Sequence, residues 1–142
     1  MDGFIESVGA LAMGSVTYEW LTRHSSAWPY GDRPTWVFTS RGKLPVVDGA
    51  NLRFVSGEVE PIAEEILASA AGAPFWIVGG GGLAAQFADA GRLDEVMVTV
   101  VPVVLGSGKP LFGRPLGRAL RLTGVRPFTT GMVELTYAVQ NP

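Results

Sequence analysis

Phe75-Trp76-Ile77-Val78-Gly79-Gly80-Gly81-Gly82-Leu83-Ala84-Ala85-Gln86-Phe87-Ala88-Asp89-Ala90-Gly91 is the stretch that decides how this chain is read. Phe75 to Val78 is a short apolar run of aromatic and β-branched residues, the composition of a buried strand. Leu83 to Ala90 is built mostly from good helix formers, and Gly91 stands where a helix stops. Strand, glycine turn and helix is an arrangement that brings backbone close to a phosphate. Glycine removes the Cβ that would block the approach, and the free N–H groups of the helix start point at the anion. A plain turn needs only one or two glycines, so a run of four favours an anion ligand.

Elimination narrows that ligand. A P-loop has Lys and then a hydroxyl residue after its glycines; no Lys follows Gly82, and Gly108-Lys109-Pro110 lacks the hydroxyl. Gly79-x-Gly81-x-x-Ala84 fits the pattern G-x-G-x-x-G/A, but the fold that carries it places an acidic residue at the end of the next strand. Here Asp94 and Glu95 open that strand, and Val103-Val104-Leu105-Gly106 closes it. Some other nucleotide-binding fold is expected.

Composition agrees with a compact globular domain. A chain of 142 residues is expected to form one domain over 1–142 with a real core. Hydrophobic content of 47% against 17% charged residues excludes a disordered chain. A net charge of −2 and a pI near 5.3 leave no basic field, so no nucleic-acid partner is expected. The absence of cysteine excludes disulfides, thiolate metal sites and a Cys nucleophile, and fits a cytoplasmic protein. His24 alone builds no metal cluster and reads as a solvated residue at a helix end. Asp2 and Glu6 sit where a signal peptide would be basic and then apolar. Residues 66–88 carry no charge, but Gly72, Pro74 and the glycine run would leave backbone unpaired in lipid, so no membrane partner is expected.

The pattern along the chain predicts helices near 2–8, 15–23, 60–71 and 82–90, and strands at 9–14, 35–40, 52–56, 75–79, 95–105, 118–126 and 132–139. Pro61 suits a first helical turn behind Glu58 and Glu60. Val133, Leu135, Tyr137 and Val139 alternate with Glu134, Thr136, Ala138 and Gln140, as in an antiparallel strand wet on one side. Parallel βα units with an antiparallel end predict an α/β fold. It is a three-layer α/β/α sandwich whose mixed, mostly parallel sheet ends in an antiparallel C-terminal hairpin.

Two more strand ends carry groups suited to a nucleotide. Gly14-Ser15-Val16-Thr17 repeats the glycine-then-helix pattern, with Ser15 as a helix cap and Thr17 as a hydroxyl for an anion. Ser40-Arg41 pairs a hydroxyl with a guanidinium, which binds phosphate oxygens bidentately. Each alone is an ordinary cap or loop; three on one rim of a sheet point to a nucleotide. No G-x-S-x-G elbow occurs and no side chain stands out as a general acid, so no catalytic residue is assigned. Phosphate-binding turns without an evident acid–base group suit hydride transfer, where the cofactor supplies the chemistry.

Five motifs then stand in order: Met13-Gly14-x-x-Thr17-Tyr18-Glu19, Val37-Phe38-Thr39-Ser40-Arg41, Val78-Gly79-Gly80-Gly81-Gly82-Leu83, Gly91-x-Leu93-Asp94-Glu95 and Pro102-Val-Val-Leu-Gly106-x-Gly108-x-Pro-Leu-Phe112. Over about residues 3–139 the chain resembles the dihydrofolate-reductase-like superfamily, in the branch of the C-terminal reductase domain of bacterial riboflavin biosynthesis. The resemblance implies an NADPH-binding fold, usually homodimeric, that reduces a pyrimidine- or pterin-like small molecule. The activity it implies is like that of 5-amino-6-(5-phosphoribosylamino)uracil reductase. A non-catalytic NADP-binding module and a dihydrofolate or pteridine reductase stay open beside it. By position, Gly14 and Thr17 would meet the pyrophosphate, Ser40 and Arg41 the adenosine 2′-phosphate, and Ser15 is counted with them as a cofactor-binding residue. Val78, Gly79, Gly80, Gly81, Gly82 and Leu83 would lie on the pyrophosphate and nicotinamide side.

The chain departs from the family in two places. Ser15 stands where members commonly have Arg. Met1-Asp2-Gly3-Phe4-Ile5 echoes the end of the family's first strand, yet Val8-Gly9-Ala10 follows at once, so Asp2–Ser7 reads as the later helix. The resemblance then implies that the family's first, mid-sheet strand is missing, leaving a gap flanked by residues 75–79 and 95–104.

Overall fold

The structure, a computed structural model, describes residues 7–24, 27–40, 44–112 and 115–140. In chain order these form β1 (Ala10–Gly14), α1 (Ser15–His24), β2 (Pro34–Phe38) and β3 (Asn51–Val55). A 3-10 turn (Glu60–Ile62) leads into α2 (Ala63–Ser69), β4 (Phe75–Gly79) and α3 (Gly81–Asp89), and the chain closes with β5 (Glu95–Val100), β6 (Leu120–Pro127) and β7 (Val133–Val139). The helix expected near 2–8 lies outside the described residues but for its last two positions.

Four strands pair in parallel in the order β3-β2-β1-β4. Period-two alternation in β1 sorts its side chains onto two faces. Leu11 and Met13 pack with Tyr18 of α1 and with Val37 of β2. Ala12 turns the other way, into a cluster with Trp36, Ile66 of α2, and Leu83 and Phe87 of α3. That cluster also contains Val96 of β5 and Val139 of β7, so α3 packs its apolar stripe against both sheets. The indole Nε1 of Trp36, a buried core residue, donates to the Ser69 hydroxyl at 3.0 Å, so this donor has a partner on α2. The expected α/β/α layering is thus present around the parallel strands.

The sheet itself is divided. β5, β7 and β6 form a separate antiparallel sheet in that order. β4 ends one sheet, β5 ends the other, and between them lies a slot of about 910 Å³. The strand pattern predicts a single mixed sheet; parallel and antiparallel parts are both present, and the gap implied by the resemblance lies between 75–79 and the following strand.

Two further expectations are corrected. The strand expected over 95–105 stops at Val100, because Pro102 has no N–H to give to a ladder. The wet face expected of β7 is not wet at its start: Glu134 is only 8% exposed. As the middle strand of its sheet, β7 is flanked on both edges, with Glu134 between Thr99 and Arg126 in register.

Candidate functional site

Strand register brings the predicted turns together. Gly14 pairs with Phe38 at the end of β2, and Met13 pairs with Gly79 at the end of β4. The C-terminal ends of β2, β1 and β4 therefore stand side by side on one rim. α1 starts at Ser15, directly after β1, and α3 starts at Gly81, one residue after β4. Two helix N-termini, each with first-turn amides free of helical partners, open on that rim. Gly80 is the N-cap of α3 and no side chain caps this end.

The glycines divide by what surrounds them. A Cβ on Gly79 would lie 2.7 Å from Thr17 Oγ1 and 3.3 Å from Thr17 Cγ2. Gly79 is therefore required by the protein itself, since Thr17 of α1 rests against it. Gly14, Gly80 and Gly82 face open space, with no heavy atom within 4 Å of a built Cβ. Packing thus gives no reason for glycine at these three positions. The backbone at Gly80 has φ −21° and ψ 151°, outside the left-handed region.

The remaining predicted residues are placed as follows. Ser15 is half-buried at the start of α1, and Ser40 is exposed two residues beyond β2. Arg41 lies outside the described residues. Leu83 is 7% exposed, with its side chain in the core cluster that α3 shares with both sheets. Val78 packs against the cluster on the opposite face, with Leu11 and Tyr18. Leu83 is thus open to a ligand mainly through its backbone, while half-buried Val78 also lines the slot beside β4. Among the described residues no cluster of His, Cys, Asp or Glu could hold a metal ion.

Tyr18 stands in the first motif with no role that the sequence pattern assigns. Its side chain is fully buried, and its hydroxyl donates to the carbonyl of Pro45, in the segment between β2 and β3. Edge-on contacts to Phe54 and Trp28, at 5.6 and 6.0 Å between centroids, fix the ring. Burial pushes the phenol pKa above its ordinary value of 10.0, although a backbone hydrogen bond at Val47 opposes this. α1 therefore carries Thr17 to the rim and, with the next residue, anchors the loop beside it.

The sequence profile of the RibD C-terminal domain family matches residues 19–134. The chain belongs to that family. It is 33% identical over 135 residues to YwjB of Bacillus subtilis, an uncharacterised protein, covering 94% of this chain and 75% of that one. A riboflavin-biosynthesis structure from Shewanella superposes with a TM-score of 0.82 at 23% identity, covering 99% of this chain and 79% of the other. A pyrimidine reductase-like protein of Corynebacterium diphtheriae superposes at 0.68 and 13% identity, over 99% and 81%. The Thermotoga maritima deaminase/5-amino-6-(5-phosphoribosylamino)uracil reductase does so at 0.68 and 10%, over 94% of this chain and 46% of its own. At these identities the structural matches establish a shared fold with the RibD-like reductases.

Proposed function

We propose that this RibD C-terminal domain family member binds NADPH across the rim of β2, β1 and β4 and transfers a hydride to a pyrimidine- or pterin-like small molecule. One observation carries the reading: the Thr17–Gly79 contact locks two helix-opening turns together, while Gly14, Gly80 and Gly82 stay open around it. That cradle matches a pyrophosphate, with amides of α1 and α3 and the Thr17 hydroxyl as donors. Ser40 and Arg41, one strand further along, are the groups proposed for the 2′-phosphate. The bound cofactor would supply the hydride, and the chain would orient it. Family membership and the reductase named among the structural neighbours support the same class of activity.

The slot favours a second reading, a nucleotide-binding module without turnover. It opens against Gly79 and Gly80, so the β5 side of the turn has no adjoining strand. The two readings share the rim and differ in catalysis. Calorimetric titration with NADPH and NADH tests the shared part. NADPH should bind more tightly by about 1.5–3 kcal/mol, the value of a charge-assisted hydrogen bond, and Arg41→Ala should erase the difference. Equal affinities in the parent chain would remove the 2′-phosphate role. Consumption of bound NADPH on adding the uracil-type substrate separates reductase from module.

A further inference from the structure

Between Pro102 and Leu111 the chain carries apolar side chains that nothing covers. Val103, Val104 and Leu105 are 61, 97 and 79% exposed, in a segment outside any strand or helix. Taking such side chains out of water is favourable by about 25 cal/mol for each Å². Gathered at one loop tip, they mark a contact made in another state of the molecule. Among the described residues no hydrogen bond ties 104–111 to the rest of the protein.

Both ends of the segment are fixed. The Val103 N–H donates to the Val101 carbonyl at 2.7 Å, a tight turn around Pro102 that leads the chain out of the line of β5. Pro102 rests on the turn between β6 and β7, where a Cβ on Gly131 would lie 3.3 Å from its Cγ. At the other end, Phe112 packs against the core cluster that α3 shares with both sheets. Between these anchors Gly106 has a φ of 80°, a conformation that glycine enters freely and a natural hinge.

The topology sets the segment beside the glycine turn. β4 runs toward the rim, α3 returns along the sheets with its apolar stripe packed on both, and β5 runs toward the rim again. β5 therefore ends on the side where Gly79 to Gly82 open. Leu111 and Phe112 line the same cavity as Gly79 and Gly80. Residues 103–110, at up to about 3.4 Å each, go out and back about 13 Å, whereas two strand places are about 9.6 Å wide. The tip can thus reach from β5 to the turn. Lys109 rides on the same segment, a cation for a rim whose helix starts attract anions.

We propose that residues 103–109 form a lid that closes over NADPH held on the glycine rim. This inference rests on the NADPH reading above. Val104 and Leu105 settle on the apolar part of the dinucleotide, and Lys109 approaches its phosphates. The ligand favours closure because the closed state takes the tip out of water against it. Closure keeps water from a hydride-transfer site.

The chain has no cysteine, so Val104→Cys carries a single thiol. Its reaction with N-ethylmaleimide, an uncharged reagent, is timed without NADPH and with saturating NADPH, and binding to the same variant is measured by calorimetry. A thiol covered about nine-tenths of the time reacts about tenfold more slowly, and that slowing is expected. Leu105→Cys should behave alike. Val125→Cys, 57% exposed on β6, should react at one rate with or without NADPH. Bound NADPH that leaves both tip thiols at their free rate overturns the lid and leaves the nucleotide reading intact. Equal slowing at Val125→Cys also overturns it, since the effect is then not local to the tip. A parent chain that does not bind NADPH removes both readings.

Discussion

Gly79 and Gly80 are neighbours in one glycine run with different reasons for being glycine. Beside Gly79 stands Thr17 Oγ1, 2.7 Å from where a Cβ would be, closer than real Cβ atoms come. Gly79→Ala is expected to cost about 1–3 kcal/mol by overpacking. Adding Thr17→Ala should return part of that loss, because the crowding oxygen is gone. Chemical denaturation of the two variants decides it, and an unchanged midpoint in the single variant would show that α1 yields easily. Gly79 as a strand end was legible from Phe75–Val78 before it. The identity of its neighbour was not, because Thr17 is 62 positions away in sequence and meets it only through the pairing of β1 with β4.

Among the elements, α3 has the widest structural role. Leu83, Phe87 and Ala88 lie on its buried stripe, and the cluster they join draws residues from β1, β2, β5 and β7. Phe87 is fully buried and packs on Phe75 with centroids 5.2 Å apart. Phe87→Ala should therefore lower stability by about 3–5 kcal/mol in urea unfolding. A loss under about 1 kcal/mol, well below that range, would mean that the two sheets are held together by something other than this helix. The β4–turn–α3 unit was readable because strand pattern, glycine run and helix stop agree within 17 residues. β5 was harder to bound. Val101, Val103, Val104 and Leu105 are apolar enough to extend a strand, yet Pro102 ends the ladder and leaves them 54–97% exposed. For β7, alternation gave the pairing direction correctly but not the burial of Glu134. That depends on β5 and β6 lying on both sides of it.

At the scale of the whole molecule, apolar surface is left uncovered on the antiparallel sheet. A register shift between Leu122 and Gly124 puts Leu122 and Val125 opposite Tyr137 and Leu135, on the face that also holds Val96 and Val139. α3 covers Val96 and Val139, while Val100, Leu122 and Val125 remain 49–57% exposed. Exposed apolar residues gathered on one face mark an association surface. We propose a homodimer through that face. Light scattering across a concentration series should give twice the monomer mass, and Leu122→Lys with Val125→Glu should halve it. A monomer at high micromolar concentration would leave the face without a partner. The gap between residues 75–79 and 95–104 was expected only from the resemblance, which implies a missing mid-sheet strand; the strand pattern alone predicts one continuous mixed sheet. The association surface was not expected, since it depends on how far α3 reaches across the second sheet.

If the open glycine rim holds the cofactor's phosphates, as proposed above, Gly80 is the position at which to look, because no heavy atom lies within 4 Å of a Cβ built there. Titrate the chain and its Gly80→Val variant with NADPH by calorimetry, and record the thermal unfolding of both. Saturable binding to the parent chain and none to the variant is expected, with unchanged unfolding midpoints. Equal binding by the two proteins would contradict it and make the four glycines a connector.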